Sequence, residues 1–212
     1  MADSATKSIS ITSLVSHHFG SVRTALFGIP YWVWPLPFLL SAGILLLLPT
    51  PAAWLTGKPL QEVMAPWLVG LTAVFATIVH RRVGTFFSLL LACFVWALFL
   101  RELHFWGTDK GFFIAVLALA WWASLRRDEI RDYLSRQMIG GLLSGALWTY
   151  FVAMVFDYHV LSFLPAYYDW TDNIEETLEN LGHLMVVGAV VATLRIGKHP
   201  DSAAQTAKNA NS

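Results

Sequence analysis

The chain has one cysteine, Cys93, in 212 residues, and it lies inside an apolar run. A single cysteine cannot close an intrachain disulfide or supply a thiolate metal cluster. Charge is also scarce. Fourteen Lys and Arg balance fourteen Asp and Glu, so the formal net charge is zero. Nothing electrostatic points to a nucleic-acid partner. The sequence also lacks a Gly-rich phosphate loop, a Gly-x-Ser-x-Gly nucleophile elbow and the His-Glu-x-x-His signature of zinc proteases. It does not show the short alternating segments of a membrane β-barrel.

What it has instead is apolar length. Runs at 31–50, 63–79, 84–100, 111–125, 137–156 and 180–194 are nearly free of charge. Runs approaching twenty apolar residues predict transmembrane helices, because lipid forces backbone polar groups to be satisfied within each segment. The expectation is an all-α polytopic membrane bundle of six spans at 31–196. It is preceded by a segment at 1–30 and followed by a polar, disordered tail at 197–212. Residues 8–27 are partly amphipathic and predict an interfacial helix, with His17 and His18 on its surface. No apolar region precedes a small-residue cleavage site in 1–30, so the first span is expected to be retained.

Charge patterning orients this arrangement. With both termini cytoplasmic, eleven of the fourteen basic residues fall inside, and only Lys58, Arg101 and Lys110 fall outside. The outer segments then carry nine of the fourteen acids. The natural location is a bacterial inner (plasma) membrane. Tryptophans and tyrosines near the span ends suit the headgroup level. Gly141 and Gly145 share a helix face and offer close contact with another helix, a candidate surface for a homo-oligomer. Membrane lipids are the other expected partner.

The stretch DNIEETLENLGH at 172–183 is anomalous. Asp172 and Glu175 fit a helix cap and its capping-box partner. Glu176, Glu179 and His183 do not. At i, i+3 and i+7 they line one helix face over about 10 Å of rise. Ionisable groups at membrane depth are costly, and tend to be paired or functional. Two further segments end on the same predicted side: RELHFW, with Arg101, Glu102 and His104, and VFDYHV, with Asp157 and His159.

The candidate metal ligands are therefore Glu102, Asp157, Glu176, Glu179, His183, His104 and His159. Carboxylates with imidazoles suit iron, zinc or manganese. The steps Glu179-x-x-x-His183 and Glu102-x-His104 depart from the Glu-x-x-His of di-iron bundles. Three function classes follow. The first is a metal- or cation-binding protein at the outer, periplasmic face, with a metal-dependent enzyme acting on a hydrophobic substrate as its catalytic form. The second is a small proton or cation channel or transporter. The third is an accessory subunit of a membrane complex, its charges a structural network in which Arg101 pairs with an acid.

Overall fold

Every apolar block of the sequence forms helix. The computed structural model describes residues 30–50, 54, 57–103, 105, 107–164 and 167–197. The interfacial helix expected at 8–27, the tail beyond 197 and His104 lie outside the described residues. After a 3-10 turn at Tyr31–Val33 come α1 (Leu36–Leu47), α2 (Lys58–Val83), α3 (Phe86–Glu102), α4 (Thr108–Leu125), α5 (Arg127–Leu134), α6 (Gln137–Asp157) and α7 (Tyr167–Gly197). The protein is an all-α bundle. Among the described residues, three helices are long and apolar enough to cross a membrane: α2, α6 and the Trp170–Gly197 part of α7. Tyr31–Leu47 and Lys110–Leu125 are shorter apolar helices.

Local chemistry sets the tight turn between α2 and α3. Gly84 adopts a left-handed conformation (φ +68°), and its N–H donates to the His80 carbonyl, closing α2. Thr85 is extended, and its hydroxyl oxygen accepts from the Ser88 N–H, opening α3. The two helices therefore run antiparallel. Trp96 Nε1 of α3 donates to Thr77 Oγ1 of α2 at 3.0 Å.

The heart of the bundle is α7. It runs antiparallel to α6, so that Leu142 meets Gly188, Gly145 meets Met185 and Tyr150 meets Gly182. It runs parallel to α2, so that Lys58 meets Asp172 at one end and Val83 meets Gly197 at the other. The main core joins α2, α3, α6 and α7 through Ala73, Val95, Ile139, Val186 and Val190. A second cluster, including Ile44, Val152, Phe156, Ile174 and Leu178, ties α1 to α6 and α7. Helix α4 packs on α3 and leaves Ile114, Leu117 and Trp121 exposed.

The glycine face of α6 is occupied from within. Pro30 and Trp32 lie over Gly141, while Met185 and Val33 lie over Gly145. The surface expected to serve a homo-oligomer is thus filled by the chain itself. Close approach also occurs at Gly182, where a Cβ would lie 2.5 Å from Tyr150 Cε1. Gly182→Ala should displace the Tyr150 ring and lower stability by about 1–3 kcal/mol, as overpacking does. Thermal unfolding in detergent beside the wild type checks this, and an unchanged midpoint would contradict it.

Candidate functional site

Helical periodicity carries charge into the core at two places. On α3 the buried stripe Phe87, Leu91, Val95, Leu98 continues, at the same spacing, to Glu102. Glu102 is therefore only 6% exposed. On α7 the stripe that holds Val186 and Val190 extends back through His183 to Glu179. His183 is 2% exposed. The packing that buries the apolar residues of each stripe also buries these groups.

Arg101 bridges the two stripes. Its Nη2 donates to Glu179 Oε1 at 2.6 Å, and its Nη1 to Glu102 Oε1 at 3.4 Å. The guanidinium also lies 5.9 Å from the centroid of the Phe112 ring on α4. The same Glu102 oxygen is approached by His183, whose Nε2 lies 3.5 Å from Oε1. His183 Nδ1 is 2.7 Å from the Tyr150 hydroxyl on α6. One chain of contacts thus runs Glu179–Arg101–Glu102–His183–Tyr150 and links α3, α6 and α7.

The protonation of this chain follows from its geometry. At 3.5 Å, His183 Nε2 makes no hydrogen bond, and it is buried. If Tyr150 O–H donates to Nδ1, Nε2 carries the imidazole proton and points it at Glu102. If Nδ1–H donates to Tyr150, Nε2 is bare in neutral His183 and protonated in the cation. One arginine faces two carboxylates, so the cluster has an excess negative charge unless a proton joins it. Beside His183 is a narrow crevice lined by Val69, Thr72, Val95, Leu98 and Val186, with no room for a water molecule.

The remaining candidates separate. Glu176 turns to α2, where Lys58 Nζ lies 4.0 Å from its carboxylate, 3.4 Å from Asp172 and 3.8 Å from Glu62. Asn180 Nδ2 donates to Gln61 Oε1 at 2.7 Å, and the Lys58 N–H donates to Asn173 Oδ1 at 3.3 Å. This second polar group clamps the start of α2 against α7. Asp157 and His159 are exposed at and just beyond the end of α6, and His159 adopts a positive φ of 53°. The structure thus joins Glu102, Glu179 and His183, places Glu176 in the neighbouring clamp and leaves Asp157 and His159 on the surface.

Sequence reasoning missed two participants. Tyr150 stands in an apolar run with no motif around it. Lys58 reads as an ordinary loop cation, although it precedes Pro59 at a helix start. Among the described residues, no group of three or more His, Cys, Asp or Glu side chains is arranged to hold a metal ion. Comparison with family models, with curated proteins and with solved structures gives no match.

Removing Arg101 tests the electrostatic role. Arg101→Met leaves two largely buried carboxylates without their countercharge, and breaking such pairs costs about 3–5 kcal/mol. The triple variant Arg101→Met, Glu102→Gln, Glu179→Gln should recover most of that loss. Denaturant unfolding in detergent measures both. Equal stability of the single and triple variants would remove the electrostatic explanation.

Proposed function

We propose that this chain is a proton-handling integral membrane protein of the small channel or transporter class, with His183 and Glu102 as the groups that exchange the proton. One observation carries the reading. A buried imidazole has Tyr150 on one nitrogen, while its other nitrogen faces a buried carboxylate without a hydrogen bond. Such a pair can gain or lose a proton without rearranging the helices. Arg101 and Glu179 link it to the less buried, acidic end of α7. On the other side, the crevice closed by Val69, Val95, Leu98 and Val186 separates it from the far end of the bundle. A passing proton would require that crevice to hydrate.

Charge distribution supports six spans, with both termini cytoplasmic and the Arg101 cluster toward the periplasmic side of an inner membrane. Reporter tags at both termini should then be accessible from the cytoplasm, and a tag between α6 and α7 should label only from outside. Labelling of that internal tag from the cytoplasm would reverse the assignment.

A second reading keeps a divalent ion at the cluster. Its support is the same His183 nitrogen without a hydrogen bond, 3.5 Å from a carboxylate oxygen, a separation that two ligands of one iron, zinc or manganese ion can adopt. Against it, the Arg101 guanidinium already supplies positive charge to that carboxylate. A metal-dependent enzyme with a hydrophobic substrate is the catalytic form of this second reading.

The deciding experiment is pH-difference infrared spectroscopy of the full chain in lipid, with proton flux measured in proteoliposomes. The proton reading expects a carboxyl or imidazole signal that changes as the pH is scanned, here from about 5 to 8. That signal should vanish in Glu102→Gln and His183→Gln, with flux falling to that of protein-free liposomes. If the signals are invariant across this range and wild-type flux equals that of empty liposomes, the network is structural. Elemental analysis of the same preparation separates the metal reading. Stoichiometric metal lost in Glu102→Gln would favour it.

A further inference from the structure

The opposite end of the bundle has a different chemistry. Here α2 ends in Arg81 and Arg82, and α5 carries the chain from α4 across to α6. Helix α5 has no buried residue. It rests on the bundle through Ile130 and Tyr133, both partly buried against the core, and Tyr133 stacks on Phe87 at 4.6 Å. Its charged face points outward, the arrangement of a helix lying at a membrane surface.

The aromatic residues of this surface suit the lipid headgroups. Trp121 and Trp122 are exposed one turn before α5, and such rings favour the headgroup level. Phe86 joins the two turns, with Trp122 edge-on at 5.1 Å and the Arg126 guanidinium 4.6 Å from the ring centroid. Arg126 is further engaged by Glu129 at 2.8 Å. In contrast, Arg81, Arg82, Arg131 and Arg136 are exposed and enter no ion pair among the described residues. Asp128 and Asp132 share the surface, but arginines outnumber acids there. Leading up to it, Ile114, Leu117, Trp121 and Leu125 form an exposed apolar stripe along α4. Exposed positive charge thus shares this end of the bundle with the exposed apolar stripe, which reaches it at Leu125, next to Arg126 and Arg127.

We infer that this end binds anionic phospholipid, its phosphate on the exposed arginines of α2, α5 and the start of α6 and its acyl chains along the α4 stripe. A soluble anion would use the arginines but not the stripe, and a zwitterionic lipid the stripe but not the net charge. The inference is independent of the proton reading, because none of these residues belongs to the Arg101 cluster.

The test is native mass spectrometry of the full chain from detergent supplemented with equimolar phosphatidylglycerol and phosphatidylcholine of identical acyl chains. The wild type should retain phosphatidylglycerol at least about tenfold more, given the attraction of several basic residues for an anionic surface. The variant Arg81→Gln, Arg82→Gln, Arg131→Gln, Arg136→Gln should lose the preference while keeping its thermal midpoint in phosphatidylcholine. The corresponding lysine variant should keep it. Equal retention of both lipids by the wild type, or an undiminished preference in the glutamine variant, overturns the inference. If the glutamine variant does not fold, the wild type decides. Its preference must shrink as salt rises and must survive excess glycerol phosphate. A preference indifferent to salt, or abolished by the free phosphate, also overturns the assignment.

Discussion

The contact of Arg101 with Glu102 and Glu179 is the constraint around which the upper half of the bundle is arranged. Two carboxylates drawn below the surface by the apolar stripes of α3 and α7 would repel each other across a poorly polarisable gap. A guanidinium satisfies both because its planar fork presents separate nitrogens to each oxygen. Lysine would offer a single point charge. Once Arg101 is between them, α3 and α7 have a defined depth relative to each other. His183, one helical turn beyond Glu179 on α7, then faces the same Glu102 oxygen that Arg101 contacts.

That placement divides the molecule electrically. The end with the Arg101 cluster also carries the Lys58 clamp, where one lysine serves Asp172, Glu176 and Glu62. The other end carries exposed arginines on α2, on α5 and at Arg136, just before α6. Between the ends, the polar side chains turn back on their own helices. Thr72, Thr149 and Thr193 donate to carbonyls four residues earlier. Hydroxyls used this way leave little for a continuous polar path. The buried His183 therefore has polar neighbours toward the acidic end and an apolar barrier toward the basic one. Under the proposed function, this asymmetry would let His183 exchange protons from one side at rest.

Helix α6 shows how small residues support the site. Gly141 and Gly145 admit Pro30, Trp32, Val33 and Met185. Gly182 on α7 admits the Tyr150 ring, one residue before His183. Tyr150 can reach Nδ1 because the adjacent residue has no Cβ to hold the ring away. The hydrogen bond that orients the imidazole thus depends on a glycine as much as on the tyrosine.

The helices were legible from the sequence, because long apolar runs have few other ways to satisfy their backbone in lipid. So was the anomaly of Glu179 and His183, since the 3.6-residue period places them on one face whatever they pack against. The grouping of acids was not legible. Glu176 and Glu179 are three residues apart and look like one cluster, yet the first faces α2 and the second faces α3. A modest angular difference on α7 becomes a choice between two neighbouring helices. His159 and Asp157 share the predicted side but lie just where α6 ends, and they stay on the surface. Periodicity and composition act along one helix, and they determined that a charged stripe enters the bundle. Which cation meets which carboxylate depends on helix rotation and depth, set by contacts such as Gly145 with Met185 and Gly182 with Tyr150. Only the tertiary structure decides those, because each is a distance between residues that the chain order leaves far apart.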